Sequence, residues 1–199
     1  SQVTDMSGMF YAAGAFNQPL GDKFDTSQVL NMSLMFAGSY YFDDETGQEF
    51  IGRTTFNQSL GEKFDTSQVL DMSGMFQYAR AFNQPLGDKF DTSKVTNMSG
   101  MFFAADAFMG NGVENFNLLK KPKIVEMFKN SGVAGTQKDI IIRNSWEKYN
   151  YSAEELKEAG LMSESLMLSE LFVSDIKSVE KETSEYKINV KLSISVSIN

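Results

Sequence analysis

The chain writes one stretch four times, and this repetition limits what it can fold into more than any other feature. A clipped SQVTDMSGMF opens the chain, and TSQVLNMSLMF, TSQVLDMSGMF and TSKVTNMSGMF come after it. Ser1 to Ser27 and Ser67 to Ser93 are each 26 residues apart, whereas Ser27 to Ser67 is 40, one period plus a 14-residue insertion. A fifth, decayed copy comes next: Met101 and Phe102 plus one period land on Met127 and Phe128, and Phe90 lands on Phe116. Its Asp-Thr-Ser has become Asn117, Leu118 and Leu119. Self-similarity at 20 to 50 residues marks a stacked array in which no unit buries its apolar face alone.

Within one repeat the columns assign themselves. Met98, Met101, Phe102, Ala105 and Phe108 stand at i, i+3, i+4, i+7 and i+10, the apolar stripe of a short helix. Asp5, Asn31, Asp71 and Asn97 precede the stripe, where a side-chain oxygen can accept from the first amides as an N-cap does. Gly21, Gly61 and Gly87 suit a turn at positive φ, and Phe24 to Val29 reads as a short strand. Each unit is therefore expected to be a strand, a tight turn, a helical turn or two and a return loop. Asn17, Asn57 and Asn83 lie in that loop beside a Phe, and the satisfaction of buried polar groups predicts a stack of Asn side chains bonded to neighbouring backbone. The sequons at Asn31, Asn57 and Asn97 fall on these same structural columns.

Comparing copies shows which positions vary. Gln28, Gln68 and Lys94 share one column; Leu30, Leu70 and Thr96 share the column two residues on; Gly14, Tyr40, Arg80 and Asp106 share a third. The first two have one strand parity, so they would line an outward face, and they are the candidate interaction surface.

Composition narrows the function classes. A net charge of −8 argues against nucleic acid, whose recognition needs clustered Lys and Arg. There is no cysteine and no histidine, which removes disulfides, thiolate chemistry and the commonest general base and metal ligand. No catalytic residue and no cofactor is expected. No apolar run approaches the ~20 residues that span a bilayer, so no membrane insertion is expected within this segment. The start without Met, in phase with the repeat, and the end in mid-strand read as a piece of a longer surface protein whose signal and anchor lie elsewhere.

The insertion, residues 43–55, carries Asp43, Asp44, Glu45 and Glu49 around Gly47. These are the weak candidates for a hard cation such as Ca²⁺, although the alternating spacing of a calcium loop is missing; a solvated loop or β-hairpin is the expected form. From Val133 the period is gone. Residues 133–162 read as a C-terminal cap, with Trp146 and Tyr149 over the core end and a capping box at Ser152 and Glu155 opening a helix that Gly160 stops. Residues 163–199 read as a β-hairpin that could open a further β module. Its second arm alternates from Tyr186 to Ile198, and its apolar face would need a cover, which makes a homodimer through this segment a candidate.

The pattern FNQPLGDKFDTSKVTNMSGMF resembles the 26-residue bacterial surface-protein repeat of the BspA-like type, abundant in mycoplasma lipoproteins, over about residues 1–132. Met109-Gly110 departs from its Asn-Gln pair, and a Phe stands where a Trp is common before Asp-Thr-Ser. The resemblance implies an extracellular, leucine-rich-repeat-like solenoid associated with adhesion or host contact. The expected fold is thus α/β: a right-handed leucine-rich-repeat-like solenoid of short strands and short helices over 1–132, with a helical C-terminal cap and a terminal β-hairpin. The expected function is a non-enzymatic module, at the cell surface or secreted, that binds a protein or a host or matrix ligand. A structural spacer is the alternative, and a hydrolase using the acidic insertion a distant third.

Overall fold

A computed structural model describes residues 3–52, 54–134, 136, 142, 143 and 145–161. The expected terminal hairpin over 163–199 and the dimer through it lie outside the described residues. Among those residues the named elements are few. Strands β1 (Tyr40–Asp43) and β2 (Gln48–Ile51) form an antiparallel pair, short 3-10 turns occur at Val113–Asn115 and Glu147–Tyr149, and helix α1 covers Ala153–Glu158. The expected α/β leucine-rich-repeat-like solenoid of short strands and short helices is therefore overturned. Among the described residues no repeat carries a strand longer than a one-residue bridge or an α-helix, and most of the described chain is turn and coil.

Backbone hydrogen bonding gives the reason. An α-helix needs each N–H to reach the carbonyl four residues back. Here the N–H groups of Met6, Gly8, Phe10 and Ala12 instead donate to the carbonyls of Asn31, Ser33, Met35 and Ala37 in the next copy, at 2.8–2.9 Å. The alternate amides of Met9, Tyr11 and Ala13 turn back three residues to Met6, Gly8 and Phe10. The same alternation recurs from Met32 and from Met72. It requires left-handed backbone at intervals: Gly74 and Tyr78 sit at φ 59° and 56°, Gly100 and Ala104 at 62° and 52°, Glu126 and Asn130 at 55° and 60°. Left-handed residues cannot continue an α-helix. In the second copy Leu34 holds this conformation, at φ 56°, where Gly8, Gly74 and Gly100 stand in three other copies. Because every second amide is spent inside its own turn, the strand-like pairing between copies shrinks to single parallel bridges, Asp5 to Asn31 to Asp71 to Asn97 to Lys123, beside the alternate backbone bonds that join them.

The apolar residues of the repeat still converge. Met32, Met35, Phe36, Met72, Met75, Phe76, Met98, Met101 and Phe102 are buried. Phe10, Phe36, Phe76, Phe102 and Phe128 stack ring on ring at 5.3–5.7 Å. A second file, Phe16, Phe56, Phe82 and Phe108, stacks at 5.6–6.0 Å. The files touch within each copy, as at Phe76–Phe82, 4.3 Å.

Two polar columns stitch the copies together. Asn17 Oδ1 accepts from the Asn57 amide, Asn57 Oδ1 from the Asn83 amide and Asn83 Oδ1 from the Met109 amide, at 2.9–3.1 Å, as the Asn column predicts. Buried Thr26, Thr66 and Thr92 donate their hydroxyls to the carbonyls of Asp65, Asp91 and Asn117, at 2.8–2.9 Å. Thr66→Val keeps the volume and strips the donor from the carbonyl of half-buried Asp91. A loss of about 1–3 kcal/mol is expected in urea denaturation.

The last copy is closed from outside the repeat. Glu126 and Phe128 donate their amides to the carbonyls of Glu158 and Ala159, at 2.8 and 2.7 Å. These carbonyls lie at the C-terminal end of α1, where a helix leaves its acceptors unused. The capping box fixes the other end of α1: Ser152 accepts from the Glu155 amide at 3.1 Å, and the Glu155 carboxylate accepts from the Ser152 amide at 2.7 Å. Gly160 comes next at φ 84°, and a Cβ there would lie 2.7 Å from the Lys129 nitrogen.

Candidate interaction surface

The two variable columns reach the surface. Gln28, Leu30, Leu70, Lys94 and Thr96 are exposed and Gln68 is half-buried, while Val29, Val69 and Val95 between them are fully buried. The backbone fixes this arrangement, because the amides of Leu30, Leu70 and Thr96 donate to the carbonyls of Thr4, Leu30 and Leu70 at 2.8–2.9 Å. Lys94 Nζ donates to Gln68 Oε1 at 2.7 Å, and Thr96 Oγ1 to the Leu70 carbonyl at 3.2 Å. The result is an exposed row with two leucines at its centre, 43% and 44% accessible, flanked by amide and ammonium groups. Such a row can bury area against a partner, but it holds no paired acid and base.

The insertion takes the hairpin form. Tyr41 faces Phe50 across the strands, with ring centroids 6.1 Å apart, and Tyr40 stacks on Tyr78 at 5.7 Å. Tyr40, Tyr41, Phe42 and Phe50 are all exposed, Tyr41 to 62%. Of the cation candidates, Asp43 closes the turn, because its Oδ1 accepts from the amides of Glu45 and Thr46. Asp44, Glu45 and Glu49 are exposed, and among the described residues no group of three or more acidic side chains is placed to hold a metal ion. Calorimetric titration with Ca²⁺ is expected to give no micromolar binding; a signal removed by Asp43→Ala together with Asp44→Ala would reverse that. The carboxylates dominate this segment in the sequence and mask its four aromatic residues. Tyr40-Tyr41-Phe42, which lead into the insertion, and Phe50 inside it are the signal that reveals the surface, since a hairpin with no core to fill should not be aromatic.

The Asx columns are turn-makers, not helix caps. Asp5, Asn31, Asp71 and Asn97 accept from the amides two residues on, at 2.7–3.2 Å, and the segments after them are turns. Asp and Asn alternate along this column, so Asn31 Nδ2 can donate to Asp5 and Asn97 Nδ2 to Asp71. The Ser7 hydroxyl and amide hold the Asp5 carboxyl below its usual range. For Asp25 the Ser27 amide and hydroxyl do the same, helped by Lys63 and Lys89, and for Asp43 the Thr46 hydroxyl and Glu45 amide. A carboxyl lowered on folding contributes stability that is fully present above its unfolded pKa, ~3.9, and is lost as pH falls through the folded value. Melting temperature should hold level from neutral pH to about pH 5 and drop below about pH 4. A drop centred near neutrality would contradict it.

Grooves of about 460 Å³ lie between successive glycine turns, as between Leu60-Gly61-Glu62 and Leu86-Gly87-Asp88. Among the described residues no helix is long and apolar enough to cross a membrane.

No curated protein and no solved structure matches the chain. The model of the family described as "Mycoplasma protein of unknown function, DUF285" matches residues 1–48 and 44–141, which together hold every copy of the repeat and the aromatic hairpin. The chain belongs to that family.

Proposed function

We propose that the chain is a non-enzymatic repeat module displayed at the cell surface or secreted, and that it binds a protein or a host or matrix ligand. The observation that carries this reading is where the copies differ. Buried Phe, Met, Val and Thr recur copy after copy and have bonds or stacking partners in the next copy. The outward Gln28, Gln68, Lys94 and Leu30, Leu70, Thr96 columns change. A scaffold held constant beneath a changeable face suits recognition. The resemblance of the repeat to BspA-like surface repeats supports display outside the cell, and the absence of histidine and cysteine from the sequence supports a binding role over catalysis.

The test coats beads with the full chain and measures retention on a panel of extracellular matrix proteins. Retention by one member that falls when Leu30→Asp and Leu70→Asp are combined supports the reading. Uniform failure to bind would favour a spacer, for which the continuous bonding from copy to copy is also suited. Antibody labelling of intact cells checks display, and staining only after permeabilisation would overturn it.

A further inference from the structure

The β1–β2 hairpin presents a surface that packing does not explain. Tyr41 and Phe50 form an open cross-strand pair, Phe42 is 44% exposed, and no third strand pairs with either edge among the described residues. Exposed aromatic pairs on a strand pair are a ready platform for a partner. Charge selects the partner. From Ser39 to Gly52 the chain carries four carboxylates and no Lys or Arg, and after Asp43 has closed the turn, Asp44, Glu45 and Glu49 remain exposed. An anionic membrane would be repelled, and so would the same hairpin of a second copy. A guanidinium group fits both parts: its flat cation stacks on ring faces, and its fork pairs with carboxylates. An extended segment lying along an open strand edge places every second side chain on one face, so regularly spaced arginines would meet the rings together.

We propose that the hairpin is a docking edge for an extended, arginine-rich polypeptide segment of a partner protein, with guanidinium groups stacked on Tyr41 and Phe50, which share one face of the hairpin, and paired with Asp44 and Glu45 of its turn. This names a partner chemistry within the reading of the chain as an interaction module, and it uses a surface other than the Leu30–Leu70 face.

The test titrates the full chain by calorimetry with three synthetic peptides, alternating Arg-Val, Lys-Val and Glu-Val. Arg-Val should bind, with an affinity that falls as salt rises; Lys-Val should bind several-fold more weakly; Glu-Val should not bind. Tyr41→Ser with Phe50→Ser should weaken Arg-Val about tenfold. Asp44→Lys with Glu45→Lys should weaken it comparably and flatten the salt dependence. These side chains are exposed, so unchanged thermal melting should accompany both variants. Equal binding of Arg-Val and Lys-Val, or Arg-Val binding untouched by the hairpin variants, would assign the effect to net charge and overturn the inference. Binding of Glu-Val, or concentration-dependent self-association in sedimentation that the aromatic variant abolishes, would overturn it too. Retention on a matrix protein without any Arg-Val binding sinks this inference while the proposed function stands.

Discussion

Phe76→Ala should lower the unfolding free energy by about 3–5 kcal/mol. Phe76 is fully buried and its ring stacks on three others: Phe36 at 5.3 Å, Phe82 at 4.3 Å and Phe102 at 5.4 Å. Truncation removes the transfer term, leaves a cavity that neighbours bonded to adjacent copies cannot collapse to fill, and breaks ring pairs worth about 0.5–1.5 kcal/mol each. Against a usual total of ~5–15 kcal/mol this is a large fraction. Position matters as much as size. In a stack, each unit is stabilised by its two neighbours, so a defect in the middle uncouples both sides. Phe10, at the first copy and only half-buried, should therefore cost clearly less when changed to Ala. Gln68→Ala, which removes only the surface contact with Lys94, should cost almost nothing. The measurement is urea unfolding monitored by the fluorescence of Trp146, the single tryptophan, which lies beyond the last copy and reports whether the defect propagates. Equal losses for Phe76→Ala and Phe10→Ala would contradict nearest-neighbour stabilisation.

What the repeat buries is legible in the sequence; the backbone path is not. The stripe Met98, Met101, Phe102, Ala105, Phe108 reads as helical because it advances by three and four, and all five side chains are indeed fully buried. A run of turns closed by amides bonding three residues back advances at nearly the same rate, so periodicity alone cannot tell the two apart. The signal that separates them is left-handed backbone. Gly8, Gly74 and Gly100 hint at it, but Leu34, Tyr78 and Ala104 adopt it with ordinary side chains. The Thr column likewise reads as strand propensity, whereas its hydroxyls tie each copy to the next. Asp5 and its equivalents accept from the amides expected of a cap, yet the segments they start are not helices. At the candidate surface, the variable columns can be placed from copy comparison, since residues on either side of a buried valine must alternate outward. The aromatic hairpin is harder to see, because its charges draw the interpretation toward a cation.

Trp146→Ala should cost about as much as Phe76→Ala, roughly 3–5 kcal/mol, through a different route. Trp146 is fully buried over the end of the stack, 5.9 Å from Phe128 and 6.3 Å from both Phe116 and Tyr151, and its Nε1–H donates to the Val113 carbonyl at 3.1 Å. Tyr149 and Tyr151 donate their hydroxyls to the carbonyls of Phe116 and Pro122, so three aromatic side chains fasten the cap to the last copy. Burial pushes the Tyr151 hydroxyl well above its usual pKa, with Glu155 adding to the shift, so it remains a donor throughout the ordinary pH range. Trp146→Phe keeps an aromatic plug but leaves the Val113 carbonyl without its donor, and should cost about 1–3 kcal/mol, less than Trp146→Ala. Scanning calorimetry can rank the two, because the substitutions remove the fluorescent probe. Hydrogen exchange then locates the damage. The amides of Glu126 and Phe128, which donate to the carbonyls of Glu158 and Ala159, should exchange faster in Trp146→Ala, while those of Met32 and Phe36, bonded between inner copies, should not change. Uniform acceleration at all four would mean that the cap holds the whole stack together and not just its last copy.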